Sequence, residues 1–212
     1  MLGYGVDMFV QSTLSKKRDS NIPFAYWAVD RFGIPESVID FGCGPGVILN
    51  TLLRITPDSK NVHACAIDYF AEARQYLDPR IHFAKLDLSY YGEQDPLPNE
   101  FLQPFEWIIC TEVAEHLPKN VAYNFICMLV AVVKNGGTIF FSAAQPGDKG
   151  TGHVNEQPKQ YWIDIWNQFG FKNQKHDFEE YYLKARPKQK IDRLTGKRLP
   201  GYARNLLVLR KN

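Results

Sequence analysis

The chain has 212 residues, of which 45% are apolar and 23% charged, with a formal net charge of +2. Such a chain can bury a core without disulfides, so we expect one globular domain over residues 1–212, and the apolar fraction is that of a globular chain rather than a disordered one. No apolar run reaches the ~20 residues that a membrane-spanning helix needs. The N-terminus lacks the basic-then-apolar order of a secretion signal, and the four cysteines form no C-x-x-C pair, which together predict a cytoplasmic protein.

Predicted helices alternate with short apolar runs along most of the chain. Residues 1–34 hold two predicted helices, at 7–15 and from Pro23 to about Phe32, which we expect to form a helical cap. Five predicted strands follow, at residues 37–41, 62–67, 81–86, 105–110 and 137–143. They alternate with predicted helices at residues 46–55, 70–77, 119–133 and 158–169. This alternation predicts a mostly parallel sheet with helices on both faces.

The end of the chain departs from this alternation. Residues 171–183 read as strand-like, and residues 205–210 read as a final strand. If the two pair as a hairpin, the sheet has seven strands and an antiparallel C-terminal hairpin. Between them lies a basic insertion, residues 184–204, with eight basic residues and one acid. Such a segment either contacts phosphate groups or forms a solvated loop. Its flanking aromatic residues, which could stack on a ring, are Tyr181, Tyr182 and Tyr202.

The most informative stretch is an apolar run that ends in Asp40 and continues into glycines 42, 44 and 46. Glycines at alternate positions predict a tight loop between a buried strand and a helix, where a flat polar ligand can lie against the backbone. A dinucleotide site needs the spacing G-x-G-x-x-G, and Val47 would take the third glycine's place. A carboxylate at Asp40 suits a cation. We therefore expect a nucleoside with an amino-acid cation, S-adenosylmethionine (SAM).

The stretch Asp40-x-Gly42-x-Gly44-x-Gly46 resembles motif I of the class I SAM-dependent methyltransferases, and further elements of that family follow in order over residues 35–170. The resemblance implies a Rossmann-like α/β sandwich. It also implies that Asp68 binds both ribose hydroxyls of SAM and that Asp87 accepts a hydrogen bond from the adenine amine. The cofactor-binding residues predicted in this way are Asp40, Phe41, Gly42, Cys43, Gly44, Gly46, Asp68, Tyr69, Asp87, Leu88, Thr111 and Glu112.

Two histidines, His116 and His153, are the candidate catalytic residues. His116 lies in a segment similar to the family's E-V-x-E-H-L turn, and His153 in one similar to the G-H-V-N turn of small bacterial methyltransferases. Histidine can accept a hydroxyl proton near neutral pH, so His153 is the preferred general base. The alternative for His153 is a structural role, bracing the loop or capping the next helix.

We therefore expect an enzyme that transfers a methyl group from SAM to a hydroxyl of a small acceptor. The acceptor would be glycan-like or nucleotide-linked, with or without a phosphate group, in preference to nucleic acid. One alternative is a metal-assisted RNA 2′-O-methyltransferase, since four residues together are similar to the metal site of small-RNA 3′-end methyltransferases; we nonetheless assign no metal. Those residues are Glu112, Glu115, His116 and His153. The other alternative is a catalytically silent, SAM-binding partner subunit.

Overall fold

The computed structural model describes residues 21–56, 61–90, 97–186 and 199–211. The predicted helix at 7–15 and most of the basic insertion lie outside these residues. The strands are β1 (Ser37–Phe41), β2 (His63–Asp68), β3 (His82–Lys85), β4 (Phe105–Thr111), β5 (Val133–Ser142), β6 (Phe171–Asn173) and β7 (Leu207–Lys211). The α-helices are α1 (Ile22–Phe32), α2 (Val47–Ile55), α3 (Lys119–Val132), α4 (Lys159–Gln168), α5 (Phe178–Ala185) and α6 (Gly201–Asn205).

The strands form one sheet in the order β3-β2-β1-β4-β5-β7-β6. Strands β1 to β5 are mutually parallel, and β7 runs antiparallel to both β5 and β6. The predicted seven-stranded sheet with its antiparallel C-terminal hairpin is therefore confirmed. Because β1 to β5 are parallel, their carboxyl ends lie along one edge, which we call the carboxyl edge. Loops at such an edge are where open α/β sheets bind ligands.

Helices cover both faces of the sheet, and each face has its own apolar core. On one face Trp162 and Trp166 of α4 are buried with their rings 5.3 Å and 5.5 Å from that of Phe141. On the other, Phe24 and Trp27 of α1 are fully buried. These aromatic residues of the two helices therefore pack in the core. Of the described helices, none is both long enough and apolar enough to cross a membrane.

Two predicted elements differ in the structure. The strand-like stretch 171–183 is a strand only over Phe171–Asn173, and Phe178–Ala185 is helical. Phe178 and Tyr182, four residues apart, are both buried, which is the spacing of a helix face rather than the alternation of a strand. The predicted helix at 70–77 is a 3₁₀ helix, Ala71–Tyr76, in which Ala73 and Leu77 donate to carbonyls three residues back.

Candidate active site

The glycine loop joins β1 to α2 at the carboxyl edge. Its glycines at 42, 44 and 46 all have positive φ angles, of 73°, 53° and 66°. A Cβ atom on Gly42 would lie 2.4 Å from a methyl of Val113, and one on Gly46 would lie 2.0 Å from a methyl of Leu77. A Cβ on Gly44 would meet no protein atom within 4 Å. The two outer glycines therefore permit close packing, and the middle one leaves its backbone open to a ligand.

Asp68, at the end of β2, is bonded to the glycine loop. Its Oδ2 atom accepts a hydrogen bond of 2.8 Å from the amide of Gly44, and its Oδ1 atom accepts one of 2.9 Å from the amide of Phe70. The neighbouring Tyr69 is 39% exposed at the same edge. Phe41 and Cys43, also predicted to bind the cofactor, are buried. They can therefore contribute their backbone, but their side chains belong to the packing beneath the loop.

Asp40 is buried at the last position but one of β1, with 3% of its surface exposed. Burial raises the pKa of its carboxyl well above the usual value, and the charge of Asp68 raises it further. A buried carboxylate without a cationic partner is costly. A ligand ammonium or sulfonium group placed here would offset that cost, which fits the charge of SAM.

Asp87 and Leu88 follow β3 at the same edge. The Oδ1 atom of Asp87 accepts hydrogen bonds from the amide and the hydroxyl of Ser89, at 2.9 Å and 2.6 Å. Leu88 is buried, with 5% of its surface exposed. The fixed carboxylate beside an apolar side chain suits a flat ring that carries an exocyclic amine.

Thr111 ends β4, and Glu112 follows it with a φ of 58°, a conformation that is strained for a residue with a side chain. The Glu112 amide donates to the Ser142 carbonyl at 3.0 Å, and the Ser142 hydroxyl donates to Oε1 of Glu112 at 2.9 Å. On the other side the carboxylate packs against Gly201, where a Cβ would lie 2.5 Å from Oε2. Burial raises the pKa of Glu112 to about 7. Its side chain thus points toward β5 and α6.

Glu115, His116 and His153 come together beside this strand end, and we call them the Glu115 cluster. One donor atom of each lies within 4.8 Å of the other two. Glu115 is fully buried, and among the described residues neither of its carboxylate oxygens has a hydrogen-bond partner of standard geometry, although the amides of Glu115 and Ala144 act on the carboxylate and partly lower its pKa. Burial, and then the charge of Glu112, raise the pKa of Glu115 well above its usual value. The Glu112 side chain is not part of this group, because its backbone turns it toward Ser142.

The hydrogen bonds of the two histidines fix which ring atoms face Glu115. The Nδ1 atom of His116 lies 3.1 Å from the carbonyl of Gly152, which can only accept, so this nitrogen carries the proton. The Nδ1 atom of His153 lies 2.8 Å from the carboxylate of Glu156 and 3.2 Å from the amide of Gly150; because the carboxylate is the nearer partner and can only accept, we assign the proton to Nδ1, which donates to Glu156. The Nε2 lone pair of His153 then faces Glu115, with 3.9 Å between Nε2 and Oε1. Burial lowers the pKa of His116, which favours its neutral form.

Three contributors to the site were missed by the sequence argument. Glu156 orients His153, Ser142 holds Glu112, and Gly201 makes room for the Glu112 carboxylate. Glu156 lies only three residues after His153, and that spacing in a loop could have suggested the pair. No pattern in the sequence indicates the contacts of Ser142 and Gly201, which depend on the approach of β5 and α6 to the end of β4.

Comparisons with known proteins agree with this geometry. The profile of a family described as a methyltransferase domain matches residues 12–180. No curated protein sequence matches the chain. Among solved structures, an O-methyltransferase family protein from Burkholderia thailandensis superposes with a TM-score of 0.62 at 14% identity, over 97% of this chain and 59% of that one. This chain therefore spans less than two thirds of that protein's length.

Two similar structures are matched over nearly their whole length. KedS8, a sugar N-methyltransferase from Streptoalloteichus sp ATCC 53650, has a TM-score of 0.65 at 12% identity, over 100% of this chain and 95% of its own. CalS10 is an amino pentose methyltransferase from Micromonospora echinaspora whose structure contains SAM. It has a TM-score of 0.62 at 12% identity, over 97% of this chain and 96% of its own. Because these sequence identities are only 12–14%, the similarity to the three structures shows a shared fold and does not identify the acceptor.

Proposed function

The chain belongs to the class I SAM-dependent methyltransferases, and we propose that it transfers the methyl group to a hydroxyl of a small, glycan-like or nucleotide-linked acceptor. The observation that carries the proposal is the carboxyl edge itself. There the open backbone of Gly44 lies against the Asp68 carboxylate, and Asp40 and Asp87 follow at the ends of β1 and β3.

Each of these three acids would bind one part of the methyl donor SAM. Asp40 would hold the amino-acid cation, Asp68 the ribose diol and Asp87 the adenine amine. Of these, Asp68 is already held in place by two backbone amides. When bound, SAM supplies an activated methyl electrophile. The protein then mainly has to hold the acceptor in line with that methyl group and to exclude water.

His153 is the proposed general base for a hydroxyl acceptor. Its Nδ1 proton is held by Glu156, so Nε2 is the nitrogen that would take the acceptor proton, and the acceptor hydroxyl would approach it beside Glu115. This pairing of a histidine with a carboxylate fixes both the tautomer and the ring orientation. The loop that carries His153 is also anchored, because the amides of Val154 and Asn155 donate to the Glu115 carbonyl at 2.9 Å and 3.0 Å.

The acceptor class is tested by direct transfer of a labelled methyl group. Purified protein is incubated with labelled SAM and matched acceptors: hexoses, amino sugars, nucleotide-sugars and short RNAs. The proposal predicts label on a hydroxyl of a sugar or nucleotide-sugar. Label found only on an amine would refute the oxygen assignment, and label found only on RNA would favour the alternative. Tight binding of S-adenosylhomocysteine (SAH) with no transfer to any acceptor would support a silent partner subunit.

A second candidate adds a divalent metal ion to the same reaction, and the Glu115 cluster is the observation that favours it. A buried carboxylate without a hydrogen bond of standard geometry faces two histidines whose Nδ1 protons are engaged by oxygen atoms. That arrangement is the one seen around metal ligands, where a second partner fixes each imidazole. The donors would be an oxygen of Glu115 and the Nε2 atoms of His116 and His153, a set that suits Zn²⁺ or Mn²⁺. Such an ion would lower the pKa of a bound hydroxyl.

The two candidates differ in their response to metal. If the ion binds, adding ZnCl₂ or MnCl₂ to chelator-treated protein raises its melting temperature, and Glu115→Gln abolishes the rise. His82→Gln, on the exposed face of β3, serves as the control and keeps it. If His153 acts as a base without metal, methyl transfer is unchanged by a chelator and the melting temperature does not respond to either salt.

A further inference from the structure

A cavity lies between α1 and α5, away from the acids and from the Glu115 cluster. It has a volume of about 370 Å³, is open to solvent and is lined by Ile22, Pro23, Tyr26, Tyr181, Ala185 and Arg186. We call it the α1–α5 cavity. Its walls combine two tyrosine rings with one guanidinium group. No residue of this set has a part in the proposed cofactor site or in methyl transfer.

Helices α1 and α5 run antiparallel, and the cavity lies at one end of the pair. Arg31, in the last turn of α1, pairs with Asp177, which precedes α5. Asp177 follows His176, whose Nε2 atom lies 3.2 Å from the carbonyl of Leu206, the residue before β7. Because Leu207 pairs with Phe141 near the end of β5, this part of the chain lies near the carboxyl edge. The first turn of α1 lies about 15 Å along the helix from the ion pair, and the last turn of α5 lies beside it, because both turns line the cavity.

A short chain of contacts connects the cavity wall to the strand ends. Tyr182, which follows the cavity residue Tyr181, has its ring centroid 6.2 Å from that of Tyr202 on α6. Gly201, the neighbour of Tyr202, lies against the Glu112 carboxylate. Helix α6 therefore connects the helix that forms one wall of the cavity to the end of β4. An acceptor whose reacting hydroxyl lies at that strand end could reach the cavity with its remaining part.

We propose that the α1–α5 cavity binds the part of the acceptor remote from the methylated atom, and that this part is a ring bearing a phosphate group. This inference rests on the proposed function and narrows its substrate class. Tyrosine rings offer flat faces on which a sugar or a base can stack. Arginine presents a planar fork of donors that matches the oxygens of phosphate.

The charges along the helices give the phosphate a direction within the cavity. Asp30 lies one turn further along α1 than Tyr26. Burial, and then the charge of Asp30, raise the pKa of Tyr181, so the carboxylate of Asp30 makes that end unfavourable for an anion. Arg186 lies at the opposite end, beside the first turn of α1. The phosphate is therefore assigned to the Arg186 end and the ring to the tyrosines.

The test uses the full chain loaded with SAH and compares each phosphorylated probe with a neutral probe that has the same ring. Glucose 1-phosphate is compared with methyl glucoside, and uridine monophosphate with uridine, by equilibrium titration. We expect the phosphorylated member of at least one pair to bind at least tenfold tighter. Arg186→Gln should reduce that preference to less than threefold, and Tyr26→Ala should weaken both members of the pair. Arg31→Gln, an arginine at the other end of α1, is the control and should keep the preference.

Equal binding of the charged and neutral probes by the wild type would overturn the inference, as would a preference that survives Arg186→Gln. If Arg186→Gln fails to fold, Arg186→Lys replaces it: the charge stays but the fork is lost, and the preference should fall several-fold. Failure of SAH itself to bind would refute the proposed function. Normal SAH binding without discrimination between the probes would refute only this inference.

Discussion

The carboxylate of Asp68 accepts a hydrogen bond of 2.8 Å from the backbone amide of Gly44. This bond ties the end of β2 to the middle of the glycine loop that follows β1, two elements that lie 24 residues apart in the sequence. It fixes both the orientation of the carboxylate and the position of the loop. The same residue can thus shape the cofactor site and bind the ribose.

Asp68→Asn tests the second of these roles. The amide oxygen of asparagine can still accept from Gly44, but the charge that strengthens hydrogen bonds to two hydroxyls is lost. We expect SAH to bind about 10- to 100-fold more weakly, since a hydrogen bond to a charged group contributes about 1.5–3 kcal/mol. The melting temperature should fall modestly, because the side-chain NH2 of asparagine cannot accept the bond from the Phe70 amide. Calorimetric titration with SAH measures the affinity, and an unchanged value would remove Asp68 from the ligand contacts.

Gly44→Ala tests whether the open side of the glycine loop faces the cofactor. The new methyl group would meet no protein atom, and only the positive φ would be strained, at a cost of about 1 kcal/mol. Gly136→Ala is a matched control, with a φ of 77° and an equally open surrounding far from the carboxyl edge. Thermal melts should show similar losses for both variants. Only Gly44→Ala should weaken SAH binding, at least tenfold, and equal affinities would contradict this placement.

Glu112→Gln should change the pH dependence of stability. Because burial raises the folded-state pKa of Glu112 from 4.5 to about 7, its contribution to stability is present at low pH and is lost as the pH rises through that interval. Glutamine keeps the bond from Ser142 and carries no charge. At pH 8 we expect the variant to be more stable than the wild type, on the order of 3 kcal/mol, and at pH 4.5 the gain should nearly vanish.

Urea unfolding of the metal-free and ligand-free protein between pH 4.5 and 8 measures this difference. Glu72→Gln, an exposed glutamate in the 3₁₀ helix, serves as a control and should show no such trend. A stability difference between wild type and Glu112→Gln that does not vary with pH would mean that the carboxyl is not buried in the way described.

His153→Ala should lower the turnover number about 10²- to 10⁴-fold, which is the usual contribution of a general base. SAH affinity should stay within about twofold of the wild-type value, since the described hydrogen bonds of His153 are made with Gly150 and Glu156 and not with the glycine loop. Glu156→Gln, which keeps an acceptor for the Nδ1 proton but removes its charge, should have a smaller effect in the same direction. Single-turnover kinetics with labelled SAM would give these rates, and near-normal turnover by His153→Ala would eliminate it as the base.

The sheet and the glycine loop could be predicted because their determinants are local. Apolar runs that end in Asp40 or Asp68, and glycines at alternate positions, have few other structural solutions. The direction of the Glu112 side chain could not be predicted, because a positive φ at a glutamate depends on the tertiary contacts with Ser142 and Gly201. The helix α5 could not be predicted for the same reason. A short segment with few apolar residues is compatible with a strand or a helix, and only the packing of Phe178 and Tyr182 in the folded protein distinguishes the two.

A crystal structure with SAH bound tests the central claim most directly. We predict adenosine along the glycine loop, with its ribose hydroxyls on Asp68, its adenine amine near Asp87 and the amino-acid ammonium beside Asp40. The sulfur atom should face the end of β4, on the side of His153. A ligand bound elsewhere on the protein, or a glycine loop closed by its own side chains in that crystal, would contradict the proposed site.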